Sequence, residues 1–402
     1  MDKREQYIDK QIIEQIMELR KQLHRIPEHS MQEVKTKQML MDFLKSHTAL
    51  EVVDRGAWFY AVKRAVNPVT TESNKAFDVS ETTMEISDQM AEYRQPIAFR
   101  ADMDAVCGKD GKPGHFCGHD GHSSVLCGLG LYLDSRKEPL AQDVYLIFQP
   151  AEEIGKGAEL CRSLIKEKHI GEIYGFHNIP GKPLGTVLVK DGTFACASTG
   201  LEIHMTGTPS HAAYPEAGRN PGYALAGLLL QIEELTKQFN ETKGFVRMTL
   251  IGMKLGSENY GVAASDGYLR LTVRSEGEQV FREYLAEIRK LAEVMAQKEA
   301  LELSIKEIER FPSTDNYAEQ VQKIRACAAS HQIPYIELPE PMRWSEDFGW
   351  YLQETKGAFF GIGDGEDYVQ LHTEHFEFPD SILETAVTMF AGLCVDIKEG
   401  EC

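Results

Sequence analysis

The arrangement of short apolar segments constrains the fold of this chain most strongly. The segments at 144–148 and 358–362 are wholly apolar, and shorter ones at 97–100 and 173–176 have a similar character. Such runs are typical of strands that are buried on both faces of a sheet. Helical patterns lie between them, so we predict an α/β fold with a central sheet flanked by helices. Polar residues that follow these strands are the first place to look for a site.

The middle of the chain has a different pattern. Leu201, Ile203 and Met205 alternate with polar residues as in a half-buried strand, and Asn220 with Pro221 begins an amphipathic helix. Two strands, a second helix and a final alternating strand follow at 246–251, 268–273, 281–295 and 301–305. This β-α-β-β-α-β order predicts an inserted ferredoxin-like α+β domain. We therefore predict a catalytic domain of residues 1–196 and 308–402 and an inserted domain of residues 197–307.

The N-terminal region reads as two helices. The first is predicted over 7–26 and stops at Pro27. Ser30 and Glu33 have the spacing of a capping box, which predicts a second helix as far as about Leu44. The polar stretch at 65–95 lacks sustained periodicity and is interpreted as a surface insertion.

Charge and cysteine usage limit the possible partners and compartment. The formal net charge of -19 argues against nucleic acid or an anionic membrane surface as a partner. The charged N-terminus does not resemble a signal peptide, and no apolar run approaches the length of a membrane span. The eight cysteines lack the spacing of a disulfide framework. A cytoplasmic location is the simplest prediction.

The segment from Cys117 to His122 concentrates the chemistry of the chain. It holds one thiol, two imidazoles and one carboxylate within six residues. Thiolate beside imidazole is a ligand set that suits zinc-like metals. Further donors follow predicted strands, namely Glu152, Glu153, His177 and His372. Taken singly, a glutamate pair is usually solvated surface and a lone histidine is usually structural. Together, five possible ligands and one spare carboxylate fit a two-metal hydrolytic site.

Six motifs carry a resemblance to a known family. They are Arg-Ala-Asp-Met-Asp-Ala at 100–105, Cys-Gly-His-Asp-Gly-His at 117–122, Gln-Pro-Ala-Glu-Glu at 149–153, Ser-His-Ala-Ala at 210–213, Ser-Glu-Asp-Phe at 345–348 and Leu-His at 371–372. In this order they resemble the amidohydrolase branch of the aminoacylase/carboxypeptidase-like binuclear metallopeptidases, which includes hippurate and auxin-conjugate hydrolases. The resemblance extends from about residue 15 to 395.

The resemblance implies a role for each motif. It implies two divalent metal ions (zinc, manganese, cobalt or nickel) and Glu152 as the general base. The implied metal ligands are Cys117, His119, Glu153, His177 and His372. It also implies that the inserted domain is a lid that often dimerises, so we expect a homodimer through residues 197–307. Cys117 is a candidate to bridge the two metals.

Four other residues are candidates for contacts around the metals or the substrate. Asp102 and Asp104 are predicted to orient ligand imidazoles, although they could instead cap a strand end. A structural or metal-orienting role is favoured over ligation for His122. His211 resembles the lid histidine that reaches the substrate carbonyl, and without the resemblance it would read as a loop residue.

Three segments depart from the family pattern. The loop from Asp104 to Cys117 is short and lacks a usual proline. Gly-Val-Ala-Ala at 261–264 replaces the usual Asn-Val-Ile-Pro, and the lost asparagine commonly helps to bind substrate. Thr-Glu-His-Phe at 373–376 replaces Ser-Pro-x-Phe and places an additional acid, Glu374, beside the last predicted ligand. These departures bear on the substrate more than on the chemistry.

The leading functional hypothesis is an amidohydrolase that cleaves the amide bond of an N-acyl amino acid through a metal-activated water, with Glu152 as general base. A dipeptidase or carboxypeptidase on the same scaffold is the alternative, because the sequence does not reveal whether the acyl side carries a free amine. A non-catalytic ligand-binding homologue is a further alternative. All five implied ligands and the base are present, which favours an enzyme.

Overall fold

The computed structural model describes residues 7–65 and 94–395. Most of the surface insertion predicted at 65–95 lies outside these residues. Within the described residues, no helix combines the length and apolar character that a membrane crossing requires.

The strands in chain order are β1 (Glu51–Asp54), β2 (Phe59–Lys63), β3 (Ile97–Asp102), β4 (Val106–Cys107), β5 (Pro113–Gly114), β6 (Val144–Gln149), β7 (Glu172–Pro180), β8 (Val187–Val189), β9 (Gly192–Ala195), β10 (Ala197–Thr206), β11 (Val246–Leu255), β12 (Asp266–Ser275), β13 (Glu302–Phe311), β14 (Thr314–Asn316), β15 (Tyr335–Glu337) and β16 (Lys356–Gly365). The α-helices are α1 (Lys10–His24), α2 (Val34–His47), α3 (His119–Ser135), α4 (Gly157–Cys161), α5 (Ser163–Glu167), α6 (Gly222–Thr242), α7 (Glu278–Lys298), α8 (Ala318–Ser330), α9 (Gly349–Leu352) and α10 (Leu383–Val395).

The first of two compact units contains the described parts of 1–191, 316–339 and 351–402. Its sheet has the strand order β1-β2-β6-β3-β7-β16-β8-β15. Strand β3 is parallel to β6 and β7, and β7 is parallel to β16. Every residue of β3 and β6 is buried, because helices α1, α2, α3, α8 and α10 form an apolar core with the sheet. The predicted α/β class and flanked central sheet are confirmed.

The second unit contains 192–315 and 340–350. Strands β10 to β13 form an antiparallel sheet of order β11-β12-β10-β13, and α6 and α7 pack against it. This is the βαββαβ connectivity expected for a ferredoxin-like unit. The unit is larger than the predicted 197–307, because hydrogen bonds join the 340–350 segment to the end of β9. The backbone N–H of Met342 donates to Phe194 O, and the backbone N–H of Cys196 donates to Met342 O.

The segment before α2 differs from the sequence-based expectation. Helix α2 begins at Val34, and its N-cap Glu33 makes no side-chain capping bond. The capping box predicted for Ser30 and Glu33 is therefore wrong. Ser30 Oγ instead donates to Asp104 Oδ2 at 2.7 Å, and Glu33 accepts from the backbone of Ala151 at 2.8 Å. Both side chains form long-range bonds, because they face a buried polar region rather than the helix terminus.

Candidate metal centre

The polar residues of the first unit converge because parallel strands end at one edge of the sheet. Asp102 is the last residue of β3, and a 3₁₀ turn over Glu152–Ile154 follows β6. His177 lies near the end of β7, and His119 is the first residue of α3. His372 comes from the segment after β16, where its backbone N–H donates to Phe116 O at 2.8 Å.

Two glycines permit the close packing of the 117–122 segment. Gly118 has a φ of +99°, and a Cβ atom there would lie 2.5 Å from Asn178 Oδ1. A Cβ atom at Gly121 would lie 2.1 Å from the ring of Phe378. Any larger side chain at either position would displace these neighbours. The glycines therefore set the direction in which Cys117 and His119 enter the site.

The five predicted ligands form two overlapping groups. The ligand atoms of Cys117, His119 and His177 lie within 4.8 Å of one another, and so do those of Cys117, Glu153 and His372. Cys117 Sγ is 3.3 Å from His177 Nε2. Glu153 Oε1 is 3.6 Å from His119 Nε2 and 3.7 Å from His372 Nε2. Cys117 belongs to both groups, which is the placement that a bridging thiolate would need.

Two orphaned atoms show that this arrangement fits metal ions. His119 Nε2 and Glu153 Oε1 are buried and have no hydrogen-bond partner within the described part of the chain. Leaving such atoms without a partner is costly, and a cation between them removes that cost. The donor set of sulfur, imidazole nitrogen and carboxylate oxygen also matches the preferences of zinc-like metals.

The buried anionic groups also favour a cation. Burial raises the pKa of the Cys117 thiol well above its usual value, and the neighbouring Glu153 and Glu152 carboxylates raise it further. Burial likewise raises the pKa of Glu153 to about 7. Both groups must lose a proton to act as ligands. A divalent cation stabilises their ionised forms, so metal binding and deprotonation are coupled.

Asp104 fixes the orientation of His119. The Nδ1 atom of His119 lies 3.0 Å from the backbone oxygen of Asp104 and 3.2 Å from its Oδ1 atom. An Nδ1–H donor directed at these oxygens leaves Nε2 available as a ligand. Asp104 Oδ2 also accepts from Ser30 Oγ at 2.7 Å and from the backbone N–H of Glu153 at 3.0 Å. One carboxylate thus joins two predicted ligands.

His122 is engaged by oxygen atoms on both sides. Its Nδ1 atom is 2.7 Å from Asp102 Oδ1, and its Nε2 atom is 2.8 Å from Asn178 Oδ1. Burial alone would raise the pKa of Asp102, but His119, His122 and Arg100 hold it well below the usual value. Both imidazole nitrogens of His122 are therefore occupied, which favours a structural role over ligation.

A second charged cluster lies behind the 117–122 segment. Arg20 Nη1 donates to Asp120 Oδ2 at 3.3 Å, and Arg20 Nε donates to Asp380 Oδ1 at 2.6 Å. His24 Nδ1 also lies 2.8 Å from Asp120 Oδ2. The cluster ties α1 and the segment before α10 to the first turn of α3.

The comparisons with known proteins assign the family. Residues 98–396 match the sequence profile of peptidase family M20/M25/M40. The chain belongs to this family. The assignment confirms the resemblance and the prediction of a hydrolase.

This M20 chain has both curated and structural relatives. It is 27% identical to an uncharacterized hydrolase of Staphylococcus saprophyticus over 92% of this chain and 94% of the relative. A crystal structure of the Bacillus subtilis YXEP protein, described as a dinuclear metal binding peptidase of the M20 family, has a TM-score of 0.76 and 25% identity over 96% of this chain and 98% of that one. An aminobenzoyl-glutamate utilization protein from Klebsiella pneumoniae shares the fold, with a TM-score of 0.69 and 19% identity over 96% of each chain.

Glu33 supports the turn that carries the glutamate pair of this M20 chain. Its Oε1 atom accepts from the backbone N–H of Ala151 at 2.8 Å and of Met31 at 3.0 Å. Ala151 has a φ of +52°, an uncommon conformation for a residue with a Cβ atom. It directly precedes Glu152, whose side chain is buried close to His119 and Glu153. Sequence reasoning missed this role of Glu33, because its spacing from Ser30 resembled a helix cap.

His211 belongs to the second unit, where local contacts fix its tautomer. The backbone N–H of Ala213 donates to His211 Nδ1 at 3.0 Å. The hydrogen of the neutral ring must therefore be on Nε2. The His211 loop pairs with the 261–264 segment, since Ala212 N–H donates to Gly261 O at 3.0 Å and Ala263 N–H donates to Ser210 O at 2.9 Å.

The support that Glu33 gives to Ala151 can be tested by substitution. We expect Glu33→Ala to lower the free energy of unfolding by about 1–3 kcal/mol, because it leaves a buried N–H group without an acceptor. It should also lower kcat with little change in KM, since the turn that carries Glu152 loses its support. Denaturant unfolding and steady-state kinetics measure the two effects.

Glu33→Gln is the matched control, because its amide oxygen can still accept the Ala151 N–H. Burial and the nearby Asp104 carboxylate raise the pKa of Glu33 to about 7, so a neutral amide is tolerated there. We expect Glu33→Gln to stay close to the unmodified enzyme. Equal losses in the two variants would contradict the hydrogen-bonding role.

Proposed function

We propose that this protein is a metal-dependent amidohydrolase that cleaves the amide bond of an N-acyl amino acid. The observation that carries the proposal is the buried Glu152 beside five convergent sulfur, nitrogen and oxygen donors, one of which comes from Glu153. Glu153 belongs to the ligand group that also contains Cys117 and His372, and Glu152 is left for proton transfer. Membership of the M20 family supports the same class of chemistry.

Two divalent ions, of zinc, manganese, cobalt or nickel, would be held by Cys117, His119, Glu153, His177 and His372. Bound metals of this kind polarise a carbonyl group and lower the pKa of a coordinated water. The description of the Bacillus subtilis relative as a dinuclear metal binding peptidase supports a metal pair. Asp104 keeps His119 oriented toward the metals, and the Asp102–His122 pair fills the space behind it.

Glu152 would act as the general base and then as the general acid. Its buried carboxylate takes a proton from the attacking water and returns it to the leaving nitrogen, so that a neutral amine departs. The family resemblance supports His211 as a further catalytic residue, whose Nε2–H would be the group that donates a hydrogen bond. The Ala213–His211 hydrogen bond supports this assignment, because it keeps the hydrogen on the nitrogen that would be used.

The second unit contains a group of arginines that can bind a carboxylate. Arg247 and Arg274 are paired across β11 and β12, and Arg274 Nη1 donates to Ser345 Oγ at 2.9 Å and to Arg343 O at 3.3 Å. The guanidinium groups of Arg247 and Arg343 each lie 5.9 Å from the ring of Phe245. Within the described residues, none of the three forms an ion pair with a carboxylate. Such cations suit the α-carboxylate of an N-acyl amino acid.

The assignment of Glu152 can be separated from metal binding by substitution. We expect Glu152→Gln to keep about two metal ions per chain and to lose turnover by on the order of 10²–10⁴-fold, because it removes only the proton-transfer group. Elemental analysis and a hydrolysis assay measure the two quantities. Glu153→Gln is the matched control and should lose metal as well as activity. Substantial turnover by Glu152→Gln would contradict the proposal, as would an absence of metal from the unmodified protein.

The substrate class can be tested by comparing acyl groups with and without an amine. We expect acetyl- and aroyl-amino acids to be hydrolysed, and their amides, which lack the free carboxylate, to be poor substrates. A dipeptide such as glycyl-methionine is compared with propionyl-methionine, in which a methyl group replaces the ammonium. Cleavage of dipeptides alone would make the protein a dipeptidase and would refute the deacylase proposal.

We also propose that the protein is a homodimer through the second unit. Strand β11 is an edge strand, and Leu250, Ile251, Met253 and Leu255 on it are all exposed. Edge strands of soluble proteins usually carry charged residues that prevent pairing, so an apolar edge favours an interface. Tyr223 and Leu230 of the neighbouring helix α6 are exposed as well, which extends the apolar surface. A second copy of the same strand is a suitable occupant.

The dimer proposal predicts the effect of a charge at the edge strand. Ile251, which is 61% exposed, can be changed to lysine without disturbing a buried core. We expect Ile251→Lys to shift the protein from dimer to monomer in analytical ultracentrifugation while its thermal unfolding is little changed. Val294→Lys, at a 58% exposed position on α7, is the control and should remain dimeric. A monomeric unmodified protein would refute the proposal.

A further inference from the structure

A cavity lies beside the candidate metal centre in the first unit. Its volume is about 370 Å³, and it is lined by Gly108, Asp110, Lys112, Pro113, Phe116 and Glu374. Two of these residues adjoin predicted ligands, since Phe116 precedes Cys117 and Glu374 follows His372 by two positions. The hydrogen bond from His372 N–H to Phe116 O, at 2.8 Å, joins the two sides of the cavity. The cavity is therefore formed by the segments that carry two of the predicted ligands.

The hairpin of β4 and β5 gives the cavity a fixed aromatic wall. The Phe116 ring lies so close to Gly114 that a Cβ atom there would be 2.2 Å from the ring. A Cβ atom at Gly108 would be 3.2 Å from the same ring. The hairpin closes through a hydrogen bond from Gly108 N–H to Lys112 O at 2.8 Å. This packing leaves little freedom for the Phe116 side chain.

The charges of the cavity do not cancel. Lys112 Nζ forms an ion pair with Asp110 Oδ2 at 2.9 Å, so these two charges neutralise each other. Glu374 forms no ion pair or side-chain hydrogen bond with any other described residue. One uncompensated carboxylate in the lining of this cavity attracts a cation through Coulomb attraction.

We propose that this cavity is a substrate subsite for a cationic group, such as the ammonium of a lysine-like side chain or of an amino-acyl group. The inference rests on the proposed amidohydrolase function and specifies its substrate class. Glu374 would pair with the cation and Phe116 would contact its methylene groups. Because Asp110 and Lys112 neutralise each other, the preference for a cationic substrate would depend on Glu374.

Matched substrates test the preference directly. One pair is Nα-acetyl-lysine and Nα-acetyl-2-aminoheptanoic acid, in which a methyl group replaces the ammonium. The other pair is 6-aminohexanoyl-methionine and heptanoyl-methionine, which places the same difference on the acyl side. We expect kcat/KM to be higher for the cationic member of at least one pair, and the preference to weaken as salt concentration rises.

Substitutions in the cavity assign the preference to its charges. We expect Glu374→Gln to lower kcat/KM for the preferred cationic substrate by roughly three- to tenfold, and to leave its neutral partner unchanged. Lys112→Met should increase the preference, because it leaves Asp110 unpaired. Glu366→Gln removes an exposed carboxylate outside the cavity and is the matched control, which should behave as the unmodified enzyme.

The outcome is distinguishable from a failure of the proposed function. Equal kcat/KM values within both substrate pairs, or a cation preference that Glu374→Gln leaves intact, would overturn the subsite while the neutral substrates still report amidohydrolase activity. Metal content is measured for every variant, so that an indirect effect of Glu374→Gln on His372 is detected. A selective loss with unchanged metal content supports the proposal.

Discussion

The candidate centre depends on the hydrogen bonds made by the buried carboxylate of Asp104. It lies against His119 Nδ1 and accepts hydrogen bonds from Ser30 Oγ and from the backbone of Glu153. Asp104, two residues after the end of the central strand β3, thereby aligns a predicted ligand from α3 with the glutamate turn after β6. Because each bond is made by a different part of the chain, the site exists only when the first unit is folded.

The centre also concentrates groups that are unfavourable without a cation. Burial opposes ionisation of Cys117 and Glu153. Two buried atoms that could bind a metal, His119 Nε2 and Glu153 Oε1, have no hydrogen-bond partner among the described residues. The protein holds these groups in place through contacts that lie outside the ligand set, including the Asp102–His122–Asn178 chain and the Glu33–Ala151 bond. Holding these groups together lowers the free energy of unfolding of the metal-free protein, and metal binding raises it again.

The central sheet could be predicted from the sequence, because short apolar runs are local signals of buried strands. The five predicted ligands were identified through the family resemblance, and the structure brings their side chains together in two overlapping groups. Ser30 and Glu33 show the limit of such reasoning. Their separation of three positions matched a capping box, whereas their hydrogen-bond partners Asp104 and Ala151 lie 74 and 118 positions away in the chain. The assignment of 340–350 to the second unit also depends on hydrogen bonds to β9, which no local pattern encodes.

The charged cluster behind the metal segment has a consequence for biosynthesis. Arg20 donates hydrogen bonds to Asp120 and to Asp380, and Asp380 lies 360 positions after Arg20 in the chain. Phe378 covers Gly121, and His372 comes from the same late segment. During translation, a nascent chain that ends before these residues has the cysteine–histidine motif but lacks the wall and the last ligand. The complete set of five predicted ligands is therefore present only after translation has passed His372.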